Sequence, residues 1–160
     1  MSKILTGSEV IELGIQIEIN GRDFYNALVT RSKSETARGV FKYLAGEEEK
    51  HIGVFKGLLE SVENYEPSEA YAGEYLDYMK ALASEHIFTN KGRGKKAADD
   101  TKTDEEAIGL GIKFEKDSII FYEGAKKIVP EYDHKIIDKV IVQEQGHLVQ
   151  LNGLKKGKEK

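Results

Sequence analysis

Four glutamates in this sequence stand where an amphipathic helix should carry aliphatic side chains. Residues at i, i+3 or i+4 and i+7 share one face of a helix. One such stripe reads Ile11, Ile15, Glu18, Tyr25, and a second reads Phe41, Leu44, Glu48, His51, Phe55. A third reads Ile112, Glu115, Tyr122, and the last reads Val140, Glu144, His147, Leu151. Each stripe delivers a carboxylate to the middle of an apolar face, and two add a histidine one turn later. Burying four carboxylates in one core is very unfavourable unless positive charge neutralises them. The stripes supply too little of it: Arg22 flanks Glu18, but the matching position near Glu115 is Ile119. Two divalent cations would balance four carboxylates, and two imidazoles would complete a ligand set.

The stripes are paired by an internal duplication. Residues 9–25 align without a gap on residues 106–122, so Ile11, Leu13, Gly14, Ile15 and Glu18 fall on Ile108, Leu110, Gly111, Ile112 and Glu115. In the second helix of each half, Phe41, Leu44, Glu48, His51, Phe55 and Leu58 fall on Ile137, Val140, Glu144, His147, Leu151 and Leu154. Each half is therefore expected to be a helical hairpin. Helical periodicity places segments at about 8–30, 35–64, 68–88, 104–129 and 131–154. Ala45 and Ile52 join the inner stripe of the second. The third begins beside Pro67 and shows Tyr71, Tyr75, Leu76, Met79 and Leu82. Thr6-x-x-Glu9 and Thr103-x-x-Glu106 read as capping boxes, and Pro130 marks a sharp turn. Residues 89–103 are polar and aperiodic and read as a linker or mobile loop, with the basic run 91–96 solvated; residues 155–160 read as a solvated tail. The expected architecture is all-α: one domain over 1–160, a four-helix bundle of hairpins 8–64 and 104–156 joined by a crossover helix and linker over 65–103.

Composition narrows the chemistry. The chain has 160 residues, the size of one domain with an ordinary core, and no cysteine, which removes disulfides, thiol catalysis and cysteine-ligated metal centres. A metal must then be held by Glu, Asp and His, which suits iron, manganese or zinc and not copper(I). Charged residues make up 32% and nearly balance at a net charge of −4, so no nucleic-acid partner is expected. No apolar run is long enough for a membrane span, and the stretch from Met1 lacks the apolar core of a secretory signal; a cytoplasmic location is expected.

A single Glu-x-x-His is a weak signal because glutamate is abundant here. Two copies at equivalent positions of a duplicated hairpin, each facing another inward glutamate, form a strong one. Glu47 and Glu49 flank Glu48 off the stripe and read as solvated. His86 and His134 have no matching carboxylates and read as structural. Tyr25 and Tyr122 sit seven residues past Glu18 and Glu115 on the same faces. They are candidates for hydrogen-bond donors to the ligands or electron donors, with plain core tyrosines as the alternative.

One glutamate from each of two helices plus Glu-x-x-His from each of two more is the pattern of di-iron and di-manganese bundles. The segments IEINGRDFY, LAGEEEKHIGVF, IKFEKDSIIFY and VQEQGHLVQL resemble the ferritin-like superfamily, most closely rubrerythrin-type proteins. That resemblance implies a pair of irons bridged by Glu48 and Glu144, with Glu18 and Glu115 terminal and His51 and His147 binding one metal each. It also implies reduction of hydrogen peroxide or dioxygen with electrons from an external donor such as a rubredoxin-like protein. Two departures stand out. Rubrerythrins usually carry a further glutamate three residues after the third-helix ligand, and here that position is Ser118, matched by Gly21; the cysteine-rich rubredoxin domain is missing. The six-ligand set also resembles bacterioferritin-like ferroxidase centres, although no fifth short helix follows the bundle and Met79 is the sole internal methionine. A ferroxidase for iron handling, or a metal-stabilised bundle without turnover, are the alternatives. The apolar residues of the third helix suggest a homo-oligomer, expected as a dimer.

Overall fold

A computed structural model describes residues 6–63 and 74–158 of the chain. These residues form six α-helices and no strand: α1 (Gly7–Arg31), α2 (Glu35–Val62), α3 (Glu74–Glu85), α4 (Arg93–Asp100), α5 (Asp104–Ala125) and α6 (His134–Lys158). Helices α1 and α2 pack along each other as one hairpin and α5 and α6 as the other. The hairpins meet through α1 against α5 and α2 against α6, so four helices surround one core; α3 lies on α5 and α4 on α1.

Local chemistry sets the helix ends. Thr6 and Glu9 form a full capping box, each side chain bonding the other's backbone N–H. At α5 only half of the expected box forms. Thr103 Oγ1 accepts the N–H of Glu106, but the Glu106 carboxylate reaches one residue further back and takes the N–H of Lys102 at 2.8 Å. The helix expected over 104–129 ends at Ala125 and tightens into a 3-10 turn over Lys126–Ile128, because Pro130 holds Val129 in extended backbone. A second 3-10 turn, Glu131–Asp133, leads into α6, which runs through Lys158 and so takes in most of the expected tail.

The crossover differs most from expectation. The start of the expected third segment, with Tyr71, lies outside the described residues; within them α3 covers Glu74–Glu85. Residues 89–103 are not a mobile loop, since they contain α4. That helix is fastened by α1. Asn20, fully buried, donates through Nδ2 to Phe88 O (2.6 Å) and Asn90 O (2.7 Å), and its Oδ1 accepts the N–H of Gly94 (3.1 Å). Arg31 donates to Ala98 O and Thr101 O, satisfying carbonyls at the far end of α4. Close approach requires glycine at 94: a Cβ there would lie 1.9 Å from the Asn20 carbonyl oxygen.

The core follows the stripes with one shift made in both halves: in α5 the stripe residue Ile112 is half-buried and Phe114 is buried instead. Ile11, Tyr25 and Leu28 are buried, as are Phe41, Leu44, Ala45, Ile52, Phe55 and Leu58, but Ile15 is half-buried and Ile17 fills the interior beside Glu18. A stripe read at seven-residue spacing drifts by about 20° per heptad on a helix of 3.6 residues per turn, which moves the buried position from Ile15 to its neighbours.

Candidate metal centre

The six residues singled out by the stripes converge at mid-bundle. Glu18 comes from α1, Glu48 and His51 from α2, Glu115 from α5, and Glu144 and His147 from α6; all are buried, and none of the four glutamates exposes any surface. Their ligand atoms fall into two groups that could each hold a metal ion. One is Glu18, Glu48, His51 and Glu144; the other is Glu48, Glu115, Glu144 and His147. Glu48 and Glu144 belong to both.

Both imidazoles turn Nδ1 inward. His51 Nδ1 lies 2.9 Å from Glu144 Oε1 and 3.4 Å from Glu18 Oε2. His147 Nδ1 lies 3.2, 3.4 and 3.5 Å from oxygens of Glu48, Glu144 and Glu115. The two rings stack at 5.7 Å. One histidine nitrogen thus points at oxygens of several carboxylates at once, the arrangement that a cation among them would require.

Hydrogen bonding leaves the interior of the cluster unsatisfied. Glu18 Oε2, Glu115 Oε2, both oxygens of Glu48, both of Glu144 and Nδ1 of each histidine are buried without a hydrogen-bond partner among the described residues. Buried polar atoms are nearly always paired, and orphaning one costs roughly 1–3 kcal/mol. Six orphaned oxygens and two orphaned nitrogens around one point fit a pair of hard or borderline divalent cations such as iron.

The outward-facing atoms are held by the protein. Tyr25 donates to Glu115 Oε1 at 2.7 Å, and Tyr122 donates to Glu18 Oε1. Each tyrosine therefore crosses from one hairpin to an inward glutamate of the other. Burial first, then the Glu115 and Glu18 charges, raise Tyr25 and Tyr122 respectively well above the usual phenol range, so both stay protonated donors. His51 Nε2 meets Gln143 Oε1 at 2.8 Å, a contact that fixes a proton on Nε2 and leaves Nδ1 free to ligate.

Titration reflects crowding. Burial, then the charges of Glu144 and Glu18, push Glu48 well above the carboxylate range; burial, then Glu115 and Glu18, do the same to Glu144. For Glu18 burial acts upward, but the close approach of Glu48, the charge of His51 and the hydrogen bond from Tyr122 outweigh it and hold the group low. His51 is also opposed by burial, yet Glu144 and Glu18 raise it to about 11. Without cations, protons take over part of the neutralisation.

The flanking residues sort themselves clearly. Arg22 turns outward to Asp23 (3.1 Å) and Glu49 (2.7 Å) and gives Glu18 nothing. Glu49 is exposed as expected, whereas Glu47 is half-buried beside Lys50. His134 sits half-buried at the first turn of α6, and His86 is buried against Ser118. Gln143 was not among the sequence candidates. Its signal was the duplication itself, which sets it opposite Glu47, adjacent to the Glu-x-x-His in each half. Gln143 and His51 lie at the floor of a depression of about 350 Å³, walled by α2 and α6, that opens to solvent past Lys50 and Lys139. Depressions of about 490–600 Å³ elsewhere are surface grooves away from the carboxylates.

Comparison with known proteins agrees with this geometry. The rubrerythrin family model matches residues 9–155. No curated protein matches the chain. Among solved structures, a Thermotoga maritima protein proposed to be a ferritin-like diiron-carboxylate protein superposes with a TM-score of 0.68 over 98% of both chains at 24% identity, a likeness of fold.

Proposed function

The chain belongs to the rubrerythrin family, and from that premise we propose that it is a di-iron carboxylate oxidoreductase that reduces hydrogen peroxide or dioxygen. The observation that supports this reading most directly is the pair of four-residue groups sharing Glu48 and Glu144, with their inward atoms unpartnered. Glu48 and Glu144 would bridge the ions, Glu18 and Glu115 would each hold one from the side, and His51 and His147 would take one each. When bound, an iron pair supplies two electrons and open coordination positions for an oxidant. Manganese and zinc suit the same donors.

The chain's own residues set the conditions for that chemistry. Tyr25 and Tyr122 fix the terminal carboxylates from behind, so the oxygens facing inward are the ones left for metal. Gln143 orients His51. Glu48 and Glu144 give up their protons as cations enter, because ligands must be deprotonated. Burial excludes bulk water, and the depression over His51 and Gln143 is the approach for electrons from an external donor such as a rubredoxin-like protein. The protein works in the cytoplasm as a dimer on this reading.

Anaerobic loading with ferrous iron, then rapid mixing with peroxide or oxygen under near-ultraviolet absorbance, tests the reading. Faster oxidation by peroxide that stops at two irons per chain is expected. Faster oxidation by oxygen that continues past two irons would replace it with a ferroxidase.

A further inference from the structure

His86 belongs to neither ligand group, yet it is buried, and the crossover brings it to the inner face of α5. Its Nδ1 accepts the backbone N–H of Phe88 at 3.1 Å. The proton of the neutral ring therefore sits on Nε2, which donates to Ser118 Oγ at 3.1 Å. Burial lowers His86 to about 4, with Asp117 and Glu18 opposing and Lys113 assisting, so this tautomer holds at neutral pH. Ser118 Oγ is thus an acceptor, and no described residue accepts the hydroxyl's own proton.

Ser118 lies between Glu115 and Tyr122 on one stripe of α5, three residues after the first and four before the second. Both of those neighbours reach the carboxylate cluster. The duplication gives an independent measure of where that register position sits. At the matching residue, Gly21, a Cβ would stand 3.4 Å from Glu48 Oε2. The position three residues after a terminal glutamate therefore borders a shared carboxylate. On the α1 side it holds no side chain, and the Phe114 ring fills the space, 2.5 Å from where a Cβ would lie. Only the α5 side carries a donor.

We propose that Ser118, oriented by His86, donates a hydrogen bond to a small anion bound at the metal pair. Ser118 is the ligand-contacting group and His86 is a positioning residue. The ligand class is a compact anion with a lone pair facing α5, of which azide and hydroxide are examples. This rests on the di-metal reading above and not on the oxidant. A hydroxyl donating to a charged acceptor in a dry site is worth one to two orders of magnitude in affinity.

Azide titration of the protein loaded with two ferric ions, followed by its charge-transfer absorbance, provides the test. S118A is expected to load two irons, to weaken azide about tenfold or more, and to shift the charge-transfer band. H86L should weaken azide similarly, while H86Q, which keeps an N–H near the Nε2 position, should stay within about threefold of wild type. Should S118A lose its iron, the H86L and H86Q pair decides: unequal affinities in the stated order support the inference, and equal ones overturn it. Wild-type azide affinity in an S118A protein holding two irons overturns it and leaves the metal centre intact. A wild-type protein that never holds two ions defeats the metal reading and this inference together.

Discussion

Replacing Glu48 by methionine should make the metal-free protein more stable. Glu48 is wholly buried, and neither of its oxygens has a hydrogen-bond partner among the described residues. Methionine has similar volume and bends easily into the space, and it removes both orphaned atoms. Burial, then the Glu144 and Glu18 charges, already hold Glu48 well above the carboxylate range, so methionine replaces a protonated acid whose orphaned atoms cost about 1–3 kcal/mol. At about 2–4 °C per kcal/mol for a chain of this length, the melting temperature should rise by roughly 3–10 °C. The assay is thermal unfolding followed by circular dichroism in the presence of a chelator. Repeating it with excess zinc or cobalt reverses the order. A wild type holding ions at about a thousand times their Kd gains about 4 kcal/mol, and the variant, lacking a shared ligand, gains far less. A metal-free E48M protein less stable than wild type would refute the reasoning. It would mean that Glu48 earns its place structurally, with no cation needed.

Three further outcomes are expected. His86 is held near 4 against an ordinary value of 6.5, chiefly by burial. A histidine depressed on folding contributes stability that is full above pH 6.5 and declines as pH falls towards 4, by about 3 kcal/mol in all. Urea unfolding of metal-free wild type and H86Q between pH 7.5 and 4 should therefore show the wild type losing more over that window; parallel curves would show that His86 protonates freely in the fold. Gly94→Ala places a Cβ against the Asn20 backbone and should cost about 1–3 kcal/mol or more, with faster amide exchange across α4. Gly53→Ala, on an exposed face of α2 with nothing within 4 Å, should instead stabilise by about 0.5–1 kcal/mol. Equal effects of the two substitutions would show that α4 is not clamped to α1.

The bundle and the convergence of its six inward ligand-type side chains were legible in the sequence because both are written in periodicity. A glutamate at a core position of a repeated hairpin is visible without knowing which helix it faces. What stayed hidden depends on partners far along the chain. Helix α4 buries only Gly94 and Ala98 and starts at Gly92 in left-handed backbone (φ 77°) without a side-chain cap, so local signals for it are weak. Its support comes from Asn20 and Arg31, some seventy residues earlier. Gln143 looks like an ordinary polar residue until α2 brings His51 against it. The Lys102 contact that diverts Glu106 from its box is likewise a matter of the chain's path before α5.

Each metal group draws three of its residues from one hairpin and borrows its fourth from the other. A lone hairpin pairing with its own copy would be bound to make two identical half-sites, since any change in one appears in both. Joining the copies in one polypeptide lifts that constraint. Gly21 and Ser118, or Glu47 and Gln143, can then differ, and the two groups of ligand-type side chains need not have the same surroundings. Asymmetry between the two groups is thus something the fused chain can inherit and tune, whereas a symmetric pair of hairpins could only average it away.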